Sequence, residues 1–147
     1  MTVAASLLEY PATRYRPEAP PDLAARRERE RLSAPALKTF FNIMARWKVK
    51  DEDARALLGG VTNGPFYEMK RNPDRLLDAD RLTRISYLIG IYKALRILHS
   101  DKMADAWVQL PNRHVIFAGA TPLAYMTRGG LPALQTVRRL LDARRAG

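Results

Sequence analysis

The side chains that could act as acid–base catalysts or metal ligands are few and scattered. His99 and His114 are the two histidines among 147 residues, and the chain has no cysteine. They fall on different predicted elements with no repeated spacing, so they predict neither a metal pair nor an acid–base pair. Gly59-Gly60 is not followed by Lys-Ser/Thr and indicates the end of a helix rather than a phosphate-binding loop. We therefore expect a protein that is not an enzyme and that needs no metal or cofactor.

The middle of the chain is predicted to form two helices joined by a glycine-containing turn of about four residues. Asp51 can cap the first, short helix, which Gly59-Gly60 ends. Thr62 or Asn63 can cap the second, which runs to about Arg71 before Asn-Pro breaks it. This order is typical of a helix-turn-helix, whose second helix enters the major groove of DNA.

The second of these helices carries the candidate DNA-binding residues. Asparagine can pair bidentately with adenine, and an exposed aromatic ring can pack on the thymine methyl group. We therefore expect Asn63, Phe66 and Tyr67 to reach base edges, and Lys70 and Arg71 to contact phosphates. The alternative is that Phe66 and Met69 belong to the core and that the rest of this helix is a solvated surface.

The segment before this unit is predicted to contain a flexible arm and one helix. Residues 1–32 carry four prolines and a mixed-charge run, which favours low internal order. Ser33 is the predicted N-cap of an amphipathic helix with Pro35 in its first turn, ending near Trp47. Residues 33–77 are thus predicted as the helix-turn-helix region.

Residues 78–147 are predicted to be helical throughout. Asp78 can cap the longest helix, which ends near His99 and is apolar on nearly all sides after Ile85. Such a helix lies at the centre of the fold or is covered by a second copy, and we expect a homodimer. A short helix, a loop and two further helices separated by Gly129-Gly130 follow. No segment alternates as a strand does, so the predicted fold class is all-α.

The positive charge is concentrated at the C-terminal end. The formal net charge is +10, and residues 111–147 contribute +5 of it with six basic residues and one acidic residue. Residues 33–77 contribute +3, with eight basic and five acidic residues. Two anionic partners are therefore worth considering, one for each region.

The rest of the composition bounds the location of the protein. No run approaches the ~18 apolar residues of a membrane-spanning helix, and the N-terminus does not have the pattern of a secretory signal. The absence of cysteine fits a reducing compartment. We expect a cytoplasmic protein that does not bind membranes.

From about Leu32 to the end, the sequence resembles the Xre/MbcA/ParS-like antitoxins. The resemblance rests on short segments that occur in one order over about 115 residues. They are Leu57-Leu58-Gly59-Gly60, Phe66-Tyr67, residues 88–95, residues 104–108 with Trp107, Pro111-Asn112, residues 117–123 and residues 137–145. Ala118 and Ala120 stand where the family often has glycine and a polar residue.

This resemblance implies a helical antitoxin with an Xre-type helix-turn-helix that binds operator DNA. It also implies a C-terminal region that covers or enters the active-site cleft of a RES-domain toxin encoded next to it. RES-domain toxins act on NAD, so their cleft accommodates a pyrophosphate, which a basic segment could occupy. The predicted toxin-binding residues are Phe117, Thr121, Arg128, Arg138, Arg139, Asp142, Arg144 and Arg145.

Two alternatives remain open at this point. The arginines of the last helix could simply compensate the dipole at its C-terminus. The whole chain could be a stand-alone transcription regulator whose C-terminal region only dimerises. An adjacent reading frame for a RES-domain protein would favour the antitoxin.

Overall fold

The structure, a computed structural model, describes residues 21–147, which fold into six α-helices and one 3-10 turn. It contains no strand in that range, which confirms the all-α prediction for this part of the chain. Most of the predicted flexible arm lies outside the described residues. The helices are α1 (Arg26–Arg46), α2 (Asp51–Leu57), α3 (Asn63–Arg71), α4 (Ala79–Leu98), α5 (Asp101–Ala106), the 3-10 turn Trp107–Gln109 and α6 (Pro122–Ala146).

Helix α4 is the centre of the fold. It packs mainly against α1 and α6. Asp78 caps it as predicted, with its Oδ1 accepting a hydrogen bond from the Arg81 amide at 2.8 Å. Side chains around most of its circumference are buried, including Leu82, Ile85, Leu88, Ile91 and Leu95. One chain therefore covers most of this helix by itself, so its apolar character does not require a second copy.

Helix α1 begins at Arg26, well before the predicted cap at Ser33, so both that cap and the extent of the arm were predicted wrongly. The mixed-charge run forms the first turns of the helix, with an exposed pair between Arg31 and Glu28. Ser33 is 1% exposed, and its hydroxyl donates to the Arg29 carbonyl within the helix. It also accepts a hydrogen bond from the Leu77 amide at 2.9 Å. Ser33 thus joins the middle of α1 to the residue before Asp78.

Helix α6 consists of two segments that meet at Gly130, close to the predicted break. Gly130 has φ 64° and ψ −149°, a conformation that is essentially restricted to glycine. Leu123 and Met126 are buried from the first segment, and Leu134 and Val137 from the second. Both segments therefore pack into the same core.

None of the helices in residues 21–147 is long and apolar enough to cross a membrane. The same residues contain no group of three or more His, Asp or Glu side chains that could hold a metal ion.

Candidate functional site

Helix α2, a turn and helix α3 follow one another in the order predicted for a helix-turn-helix. Gly59 and Gly60 have φ values of 97° and 87°. The amides of Gly60 and Val61 both donate to the Arg55 carbonyl, which closes the end of α2. Glycine is required where the chain turns because L side chains rarely adopt such φ values.

Helix α3 has one buried and one exposed side, which corrects one predicted contact. Phe66 is 1% exposed and lies edge-on to Phe41, with their ring centroids 5.4 Å apart. The prediction that Phe66 reaches base edges was therefore wrong, and the alternative that it belongs to the core was right. Asn63, Tyr67, Lys70 and Arg71 are exposed.

Asp51 occupies the exposed side of α3 rather than capping α2. The Tyr67 hydroxyl donates to its Oδ2 at 2.9 Å, and Lys70 Nζ lies 3.3 Å from its Oδ1. No side-chain hydrogen bond caps α2, whose N-cap residue is Lys50. The hydrogen bond from Tyr67 lowers the pKa of Asp51, with Lys70 acting in the same direction, and the same bond raises the pKa of Tyr67.

The predicted phosphate-binding residues both have carboxylate partners in the free protein. Lys70 pairs with Asp51, and Arg71 Nη2 lies 2.5 Å from Glu68 Oε1. Residues 51–71 hold three basic and four acidic residues, a formal charge of −1. Three exposed basic residues lie just before α2, outside this range: Arg46, Lys48 and Lys50.

The C-terminal region contains a closed loop between the 3-10 turn and α6. The Asn112 amide donates to the Ala120 carbonyl at 3.0 Å, and the Gly119 amide returns a bond to the Asn112 carbonyl at 2.9 Å. Ala118 has φ 50° and Gly119 has φ 88°. Because Ala118 adopts a left-handed conformation, glycine would relieve backbone strain at that position. Val115, at the exposed side of the loop, is 82% exposed.

Two predicted toxin-binding residues hold this loop in place. Phe117 is 3% exposed, with its ring centroid 5.8 Å from that of Trp107 and 5.3 Å from that of Tyr125. Thr121 caps α6, with its Oγ1 accepting from the Ala124 amide at 3.0 Å. A ring that is buried to this extent offers little surface area to a partner.

A shallow recess lies between this loop and the first segment of α6. Its volume is about 330 Å³, and it is open to solvent on one side. It is lined by Ile116, Phe117, Ala120, Tyr125, Arg128 and Gly129. The exposed Arg128 therefore lies next to the loop, whereas the other predicted arginines lie on the second segment.

The arginines of the second segment fall into two groups. Arg138 Nε donates to Asp142 Oδ2 at 2.9 Å, and Arg145 Nη1 lies 3.7 Å from Asp142 Oδ1. The Arg138 guanidinium also lies over Gly90 of α4, where an added Cβ would come within 1.7 Å of its Nη1. Arg139 and Arg144 are exposed and, within residues 21–147, have no carboxylate partner.

The sequence prediction missed two features of these surfaces. Asp51 was expected to cap α2, but its partners lie 16 and 19 residues away in the sequence. Val115 was not singled out, because a single exposed valine in a loop has no distinctive pattern.

The C-terminal region of the chain is similar to a known family of domains. Residues 93–147, which include the loop and α6, match the sequence model of the family described as "Antitoxin Xre/MbcA/ParS C-terminal toxin-binding domain". This match defines the C-terminal region as similar to a toxin-binding domain. Over 112 residues the chain is 38% identical to "Uncharacterized protein y4oB" of Sinorhizobium fredii (strain NBRC 101917 / NGR234), which covers 76% of this chain and 84% of that protein. The chain therefore belongs to one family with that protein, and its residues 93–147 are similar to the toxin-binding domain of the Xre/MbcA/ParS antitoxins.

Proposed function

We propose that this protein is the antitoxin of a type II toxin–antitoxin system and neutralises a RES-domain, NAD-consuming toxin by occluding its active site. The observation that carries the proposal is the match of residues 93–147 to a toxin-binding domain. The RES-domain partner is what the family resemblance implies. The proposed role is one of binding, not catalysis.

The surface chemistry of this domain supports an anionic target. Arg128, Arg139 and Arg144 are exposed and have no carboxylate partner within residues 21–147. A guanidinium group suits a cleft built for a pyrophosphate because it donates two parallel hydrogen bonds to a phosphate group. Arg138 and Arg145 already share Asp142, so binding through them would first have to break an existing contact.

This difference gives a test with a matched control. Arg139→Gln/Arg144→Gln and Arg138→Gln/Arg145→Gln each remove two positive charges from the same helix. A charge-assisted contact to a buried partner contributes about 1.5–3 kcal/mol, so losing two weakens binding by roughly 10²- to 10⁴-fold. We expect this loss for the Arg139/Arg144 variant and a much smaller loss for the control.

The measurements are the affinity for the purified toxin encoded next to the protein and the rescue of toxin-expressing cells. Circular dichroism should show that both variants keep their helices. Equal losses in both variants would show that only total charge matters. Unchanged affinity in both would show that the arginines compensate the helix end and that neutralisation resides elsewhere.

We further propose that the protein binds its own operator DNA, and that the helix-turn-helix region does so. The observation that favours this activity is the order of α2, the glycine turn and α3, with Asn63, Tyr67, Lys70 and Arg71 exposed. Promoter binding followed as a function of salt tests it, since each phosphate contact contributes roughly 0.9 to the salt slope. The homodimer is a separate prediction, which light scattering without toxin would check.

A further inference from the structure

The contact between Asp51 and helix α3 joins a carboxylate to two donors that DNA-binding proteins use on phosphates. Tyrosine hydroxyl and lysine ammonium groups are both common phosphate ligands. In this protein, Tyr67 and Lys70 converge on the two oxygens of one carboxylate, at 2.9 and 3.3 Å. Two donors that converge on the oxygens of a carboxylate can also converge on the two non-bridging oxygens of a phosphodiester.

We propose that Tyr67 and Lys70 form a phosphodiester-binding site that Asp51 occupies in the free protein, so that duplex DNA must displace Asp51 to bind there. This inference rests on the proposed DNA-binding activity and deepens it. It changes the role of Tyr67 from a base contact to a phosphate contact. It also makes Asp51 the residue that sets the DNA affinity of this surface.

The exposure of the three side chains makes such an exchange possible. Tyr67 is 45% exposed, and the side chains of Lys70 and Asp51 are 50% and 40% exposed. An incoming phosphate can therefore reach both donors without disturbing the core below them. Because an exposed ion pair is weak, the carboxylate can be displaced but still lowers the affinity.

The neighbouring acid provides a control for charge alone. Asp51, Glu52 and Asp53 all lie in the first turn of α2, but within residues 21–147 no side-chain hydrogen bond or ion pair joins Glu52 to α3. Asp51→Asn and Glu52→Gln each remove one negative charge from that turn. Both therefore reduce the general repulsion of DNA, whereas only Asp51→Asn removes the competing carboxylate.

We expect Asp51→Asn to bind duplex DNA of the protein's own promoter about fivefold more tightly than Glu52→Gln. This ratio corresponds to the upper value of ~1 kcal/mol for an exposed ion pair. The gain must disappear when Lys70→Gln is added, because the released donor is then absent. The assay is fluorescence anisotropy with full-length protein over a range of salt, with circular dichroism as a check of folding.

The outcomes separate this inference from the activity on which it rests. Equal affinities of the Asp51→Asn and Glu52→Gln variants, or a gain that persists with Lys70→Gln, would overturn the competition between Asp51 and phosphate while leaving operator binding intact. If neither the wild type nor Asp51→Asn binds promoter DNA, both the inference and the proposed DNA binding fail. Toxin affinity, measured in parallel, is expected to be unchanged in all these variants.

Discussion

Ser33 links the middle of α1 to the segment before α4 by hydrogen bonds. Substituting it tests whether Ser33 lies inside α1 or at the N-terminus of that helix. Its hydroxyl donates to the Arg29 carbonyl and accepts from the Leu77 amide at 2.9 Å, at a position that is 1% exposed. Alanine would leave the Leu77 N–H buried without this partner. The cost of such an unsatisfied donor is about 1–3 kcal/mol in the free energy of unfolding.

Aspartate at the same position separates the two possible roles of Ser33. If Ser33 were an N-cap, aspartate would replace it at almost no cost, because Asp and Ser are about equally good caps. In the interior of α1, aspartate would place a carboxylate at a buried position next to a backbone carbonyl. An unpaired buried charge costs roughly 3–5 kcal/mol, so Ser33→Asp is expected to be the less stable of the two variants.

Ser100 provides the matched control because it is an N-cap in the structure. It caps α5, and its Oγ accepts from the Met103 amide at 3.4 Å. Ser100→Ala is expected to cost up to about 1 kcal/mol and Ser100→Asp close to nothing. Urea denaturation and thermal unfolding followed by circular dichroism measure these differences, at about 2–4 °C in Tm per kcal/mol. A Ser33→Asp variant as stable as the wild type would refute the placement of Ser33 inside α1.

Two further predictions concern backbone geometry and pH. Gly130→Ala should destabilise the protein by about 1–3 kcal/mol in urea denaturation because of the φ and ψ values at the bend of α6. Gly64→Ala, in regular α3 with open space around its Cα, should be neutral or slightly stabilising, and equal costs for both would contradict the bend. Because the pKa of Asp51 is lowered from 3.8 in the folded state, its contribution to stability is complete above that pH and is lost as the pH falls through the folded pKa. Denaturation between pH 2 and 6 should therefore show a smaller acid loss in Asp51→Asn than in Glu52→Gln.

The elements predicted correctly from sequence are those whose determinants are local. Asp78 lies directly before a long apolar helix and caps it, and Thr121 lies before Pro122 and caps α6. In both cases the donor is within three residues of the acceptor, so sequence spacing alone identifies the bond. The kink of α6 was predictable for the same reason, because it depends on the conformation of one glycine.

The features that could not be predicted depend on residues far apart in the chain. The first turns of α1 are highly charged and lack apolar periodicity, and the Ser33–Leu77 bond spans 44 residues. The sequence position of Phe66 fits both a DNA-contacting helix and a core helix, and its contact with Phe41 is what decides between them. Asp51 lies where the sequence predicts a helix cap, but its side chain contacts Tyr67 and Lys70 of α3 instead of capping α2.

The charge that remains after pairing differs between the two regions proposed to bind partners. Residues 111–147 contain six basic residues and one acidic residue, Asp142, which pairs with Arg138 and Arg145. Most of the positive charge of this range is therefore available to an anionic partner. In residues 51–71 the acidic residues outnumber the basic ones, and Asp51 and Glu68 pair with the exposed lysine and arginine of α3. On these proposals, a phosphate-containing partner of the C-terminal region would meet exposed arginines without a carboxylate partner, whereas DNA would first have to replace carboxylates on α3. Since residues 46–50 carry three exposed basic side chains next to Asp51, electrostatic attraction would bring a duplex to the place of that replacement.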